Sequence, residues 1–139
     1  MPDRPTNVVI AMQATALAVS GAVGITVLRI FDPNIAGSVF PTCPFFALTG
    51  HWCIGCGMTR AAHALAHGDL GLAFSMNPLV VTLLALSPIM LGWYWGWKPR
   101  LFRPLMSVLG EPRFWLVLLP VYWIARNLPW APFTWLAPG

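Results

Sequence analysis

Cys53 and Cys56 form a C-x-x-C pair, and Cys43 is the only other cysteine of the chain. Three kinds of chemistry suit such a set. The first is structural: a bridge from Cys43 to Cys53 or Cys56 would staple a loop with little core of its own, provided that the loop faces an oxidising compartment. The pairing is open, and one cysteine is left over. The second is redox: C-x-x-C at the start of a helix favours the thiolate through the helix dipole, although the alternating strands and helices of the thioredoxin context are absent. The third is a metal site: Cys53, Cys56, His63 and His67 offer two thiolates and two imidazoles, a set that tetrahedral zinc accepts. The gap between the pairs is shorter than in zinc fingers, and the geometry would be tight on one continuous helix. Gly57 follows Cys56, so the C-x-x-C-H pattern of covalent haem attachment is not met. The staple is the leading reading, with redox and metal chemistry level behind it.

The residues that follow must position this set. Met58 to His67 reads as a short amphipathic helix stopped by Gly68. Cys56, Thr59, Arg60, His63 and His67 fall on one stripe, with Met58, Ala61, Ala62 and Leu65 opposite. Gly55 and Gly57 suit a tight turn. The Arg60 guanidinium, with five donors, is expected to tie loop carbonyls together. His63 and His67 have a plainer role as the wet face of an interfacial helix. Asp69 caps a further turn or two, to Met76, and Asn77-Pro78 starts the next helix, with Asn as cap and Pro in first position. No catalytic set accompanies these residues. The four acids, Asp3, Asp32, Asp69 and Glu111, are scattered. There is no carboxylate pair, Gly-rich phosphate loop or nucleophile elbow, and nothing compels an enzyme.

Composition places the loop at a membrane. Of 139 residues, 58% are hydrophobic and only 9% charged, against about 25% charged in a soluble domain. The expected fold is all-α and integral to the membrane, as one domain with three transmembrane helices. The first span, about 8–28, exceeds the apolar core of a signal peptide and reads as retained. Ala14, Ala18 and Ala22, with Ser20 and Gly24, form small-residue stripes suited to close helix approach. The second span, about 78–97, ends in an aromatic belt of Trp93, Tyr94, Trp95 and Trp97. The third, about 114–130, contains Pro120, expected to kink it, and Arg126, expected to snorkel to the interface. Between the first two lies the polar loop 32–77. Lys98, Arg100, Arg103 and Arg113 against Glu111 leave the loop between spans two and three at +3. With Arg4, this puts the N-terminus in the cytoplasm of a bacterial cell and the cysteine loop outside. The net charge of +4 is explained by orientation rather than nucleic-acid binding.

The string Cys43-Pro44-Phe45, Leu48-Thr49-Gly50, Cys53-x-x-Cys56-Gly57-x-Thr59-Arg60-Ala61, Gly68-Asp69 and Asn77-Pro78 resembles the bacterial family catalogued as domain of unknown function 2752. The tail Arg126-Asn127-Leu128-Pro129 with Pro132-Phe133 is similar to that family's end, so the resemblance runs from about Asp32 to Pro138. Ile54 stands where the family usually has proline. Small proteins resembling this one are associated factors of the actinobacterial respiratory supercomplex, which joins a cytochrome bcc complex to a terminal oxidase. The missing catalytic set and the small-residue, aromatic-ended helices point to a non-catalytic accessory or scaffold subunit of a larger membrane assembly. Such a subunit is partnered by lipid and other membrane subunits and is expected to hold no cofactor, and the resemblance adds respiratory complexes as candidate partners. The alternative is an extracytoplasmic thiol/disulfide or metal-handling protein that uses the C-x-x-C loop, with zinc as its metal. An accessible thiol of low pKa favours that alternative, and a buried disulfide favours the scaffold.

Overall fold

A computed structural model describes residues 7–35 and 37–138; Arg4, part of the orientation argument, lies outside them. Every regular element among the described residues is helical. In order they are α1 (Asn7–Ile30), α2 (Pro44–Thr49), α3 (Met58–Ala66), α4 (Leu70–Met76), α5 (Pro78–Tyr94), α6 (Arg103–Leu109) and α7 (Pro112–Ala125), with short 3-10 turns at Arg100–Phe102 and Phe133–Leu136.

The 24 residues of α1 reach about 36 Å at 1.5 Å per residue, enough to cross a hydrocarbon core of about 30 Å. None of them is buried against the rest of the chain, so the apolar surface of α1 is left for lipid or another protein. Ser20 and Thr26 return their hydroxyls to the carbonyls of Ala16 and Ala22 at 2.8 Å, which makes them tolerable at that depth. The two ends of α1 are fixed to different partners. Trp95 Nε1 donates to Gln13 Oε1 near its start, and Arg29 Nε donates to the Ala66 carbonyl near its end. The end of α5 therefore meets the start of α1, and α3 meets its far end.

The second and third spans differ from expectation. Helix α5 stops at Tyr94 after 17 residues instead of reaching 97, because Gly96 turns at φ +102° and folds the Trp97 ring back over Gly92. It reaches span length only together with α4, across a bend of 120°. Helix α7 ends at Ala125 after 14 residues, about 21 Å, and passes the same test only with the segment Arg100–Leu109, across a bend of 66°. Arg126 caps α7, and Pro129 lies just beyond, so the helix cannot continue to 130. One helix is long and apolar enough to cross a membrane, or up to three if each bent pair counts as one span.

A small core joins α3, α4 and α5. Ala61, Ala64, Ala73, Met76 and Val81 are buried together, with Leu65 packed against them. Alanines at the α3–α4 crossing let the two backbones approach closely. Gly68 at φ +82° makes the turn between them, and Asp69 Oδ1 caps α4 by accepting the Leu72 amide at 2.9 Å. Asn77 Oδ1 caps α5 by accepting the Val80 amide, with Pro78 in the first turn. Both caps follow the expectation from sequence.

Candidate thiol centre

The cysteine loop is built from two short turns that face each other. Cys43 immediately precedes Pro44, which starts α2, and Gly50 ends that helix at φ +68°. The chain then doubles back, and the Trp52 ring stacks on Phe46 with centroids 4.0 Å apart. Next comes the C-x-x-C turn, closed by the Cys56 amide donating to the Cys53 carbonyl at 3.2 Å. Gly57 leaves that turn at φ +80°, where a Cβ would collide with the Met76 carbonyl. Glycine is therefore required at 57 by both dihedral angle and space. Gly55 has neither constraint.

Three side chains from far along the chain hold the turn. Arg126 Nη1 donates to the carbonyls of Cys53 and Ile54 at 2.9 Å each, and Nη2 donates to the Cys56 carbonyl at 3.0 Å. Its guanidinium also lies 5.3 Å from the centroid of the Tyr122 ring, a cation–π contact. Asn77 Nδ2 donates to the carbonyls of Ile54 and Cys56, while Asn77 Oδ1 accepts the Tyr122 hydroxyl. Asn127 Oδ1 accepts the Trp52 amide, and Asn127 Nδ2 donates to the Trp52 carbonyl. Arg126 and Asn77 are the largest fully buried side chains among the described residues. Arg126, expected to snorkel, is 1% exposed, because three carbonyls of the turn replace water around it. The carbonyls that Arg60 was expected to tie are held by Arg126, and Arg60 makes no hydrogen bond to another described residue.

This scaffold brings the three sulfurs together, all within 4.8 Å of one another. Cys53 Sγ lies 2.7 Å from Cys56 Sγ and 3.4 Å from Cys43 Sγ. A disulfide has its sulfurs about 2.05 Å apart, and all three cysteines are free thiols. No two of the sulfurs are therefore at disulfide bonding distance, and the loop is held by hydrogen bonds from Arg126, Asn77 and Asn127. The expected metal set also changes: Cys43 joins Cys53 and Cys56, and neither histidine does. His63 Nδ1 is 2.6 Å from the Leu28 carbonyl and its Nε2 is 3.7 Å from Asp32. His67 packs on the His63 ring, with Nδ1 on the His63 carbonyl. His63 therefore secures the end of α1 on α3, and His67 packs against it from the same helix.

The thiols differ in character. Cys43 is half-buried, and the backbone amide of Phe46, at the start of α2, favours its thiolate without closing a capping hydrogen bond, which lowers its pKa to about 7. Cys56 is buried, and loss of water pushes its pKa up to about 12. A cleft of about 340 Å³ opens beside the sulfurs, lined by Cys43, Cys56, Phe46, Trp52, Thr59 and Arg60 among others. In reduced, metal-free protein, alkylation by iodoacetamide should reach Cys43 first. Its rate should rise through about pH 7, because the thiolate is the nucleophile and a depressed pKa populates it earlier. Cys56 should stay unmodified until the protein unfolds. Equal reaction of all three with a midpoint near the free-thiol value of about 8.5 would contradict this assignment. Peptide mapping after timed alkylation reads the difference.

The segment carrying this loop is also the part of the chain that comparison recognises. Residues 43–91 match the model of the family described as Protein of unknown function (DUF2752). The DUF2752 match spans α2 to most of α5 and includes all three cysteines, Arg60, Asp69, Asn77 and Pro78. It is narrower than the resemblance from Asp32 to Pro138, and it leaves out Arg126 and Asn127, which hold the loop from outside. No curated protein and no solved structure matches the chain. Sequence reasoning singled out the three cysteines, Gly57 and, as a helix cap, Asn77, but not Phe46 or Trp52, and it gave the role of Arg126 to Arg60. The available signal was that Arg126 falls inside the apolar run 114–130, a setting where a charge needs partners.

Proposed function

We propose that the chain is a membrane-anchored thiol protein that holds a thiophilic metal ion, zinc included, on Cys43, Cys53 and Cys56. The observation that carries this reading is the convergence of three free sulfurs within 4.8 Å on a turn locked by buried hydrogen bonds. A metal–sulfur bond of about 2.3 Å puts sulfurs sharing one ion about 4 Å apart, so small shifts of these side chains would complete the site. Helix α1 supplies the anchor. The charge distribution favours a cysteine loop outside the cytoplasm, where bound metal would keep neighbouring thiols from oxidising to a disulfide.

A second reading is a non-catalytic accessory subunit of a larger membrane assembly, with a respiratory supercomplex as candidate. It is favoured by α1, which buries none of its 24 residues within the chain and carries small residues at helical spacing. One experiment separates the two. Full-length protein purified reducing and chelator-free, in mild detergent, is expected to carry up to one metal ion per chain by elemental analysis and to rebind it after chelation. The Cys53→Ser, Cys56→Ser protein should accumulate and insert normally, yet lose the metal and fail to restore a deletion strain. A double-serine protein that restores the strain, with native gels showing its assembly intact, would favour the accessory subunit instead.

A further inference from the structure

We propose that the three-cysteine centre is a three-coordinate site for a soft monovalent ion of the Cu(I) class rather than for zinc. The inference rests on the metal-holding reading above and narrows it.

Ligand number comes first. Structural zinc sites take four protein ligands, and catalytic ones take three plus a water. Among the described residues no imidazole or carboxylate joins the three sulfurs. His51, two residues before Cys53, lies on the Thr49 carbonyl, His63 on the Leu28 carbonyl of α1, and His67 on the His63 carbonyl of its own helix. Soft thiolates suit Cu(I), zinc and iron–sulfur clusters alike; of these, Cu(I) is the one satisfied by three sulfurs in a plane.

Charge points the same way. No Asp or Glu occurs between Asp32 and Asp69, so the segment carrying the three cysteines holds Arg60 and no carboxylate. Arg126 is 1% exposed, hydrogen-bonds to carbonyls only and stacks on Tyr122 with no carboxylate beside it; its Nε has no hydrogen-bond partner among the described residues. A buried guanidinium without a counter-charge is costly. Arg60 lines the cleft and forms no ion pair with a described residue. Binding Cu(I) to the three thiols would release three protons, leave the metal's oxidation state unchanged and give a complex of charge −2. The two guanidinium ions balance that charge. Zinc would give −1 and leave one buried or half-buried cation uncompensated.

The test titrates full-length, reduced protein in detergent, without oxygen, with Cu(I) supplied as its bicinchoninate complex and kept reduced by ascorbate. Wild-type protein is expected to withdraw one Cu(I) per chain. A hundredfold excess of Zn(II) should not displace it. Cys43→Ser should withdraw Cu(I) at least about tenfold less well, since it leaves two ligands of three. Arg60→Gln should weaken Cu(I) binding while leaving the melting temperature unchanged, a split that a purely structural role for Arg60 would not produce. Displacement of Cu(I) by equimolar Zn(II), or a four-coordinate Co(II) spectrum in substituted protein, would overturn the Cu(I) assignment and leave the metal-holding function standing. Cu(I) affinity unchanged in Cys43→Ser would overturn the three-coordinate site. Binding of neither Cu(I) nor Zn(II) would overturn both this inference and the function on which it rests.

Discussion

Arg126→Met should release the cysteine loop from the rest of the protein and lower its stability by about 3 kcal/mol. The guanidinium makes three charge-assisted hydrogen bonds, to the carbonyls of Cys53, Ile54 and Cys56, each worth about 1.5–3 kcal/mol. Relief of the buried charge offsets part of that loss. Asn77 still serves Ile54 and Cys56, and the Cys56 amide still serves the Cys53 carbonyl, so the turn loosens rather than loses every partner. Arg126→Lys should be nearly as harmful. A single ammonium keeps the charge but lacks the planar fork that spans three carbonyls from two nitrogens. Melting of each variant in detergent, with alkylation of Cys56 as a local probe, reads both effects. Melting at the wild-type temperature with Cys56 still protected in Arg126→Met would show that the loop is held by something else.

Gly57→Ala should be comparably damaging, while Gly55→Ala in the same turn should be nearly silent. At φ +80° a side chain costs about 1–3 kcal/mol in backbone strain alone. The added methyl would also meet the Met76 carbonyl, which is backbone. Met76 directly precedes Asn77 at the bend between α4 and α5, so moving that carbonyl disturbs the asparagine that clamps the C-x-x-C turn. At Gly55 an added Cβ meets nothing within 4 Å and the backbone is not left-handed, which places its substitution within about 0.5 kcal/mol of wild type. Yields of monodisperse protein on size exclusion and the melting temperatures provide the comparison. Equal losses in the two variants would mean that glycine at 57 serves flexibility rather than shape.

Features set by near neighbours in the chain were legible in the sequence. The first span follows from an unbroken apolar run. The starts of α4 and α5 follow from Asp69 and from Asn77-Pro78, because an N-cap bonds an amide three residues on. The stop of α3 near Gly68 is likewise local, whereas glycine at 57 is required partly by the distant Met76 carbonyl. The C-x-x-C pair marked the centre of the site by itself. The tertiary structure decided everything that depended on residues far apart. It shortened the second and third spans to helices that pass as spans only when paired across bends, since a run of apolar residues sets hydropathy but not where a chain turns. It replaced His63 and His67 by Cys43 as companions of the C-x-x-C pair, because helical spacing puts residues on one stripe without saying what that stripe faces. Contact with the end of α1 claimed His63, and His67 turned back onto its own helix. It also gave the loop's arginine to position 126 rather than 60. Position 60 is near in sequence and faces the cleft. Arg126, seventy residues from Cys56, is brought by α7 to the carbonyls of the turn, and burial there makes those hydrogen bonds the only solvation its charge can find.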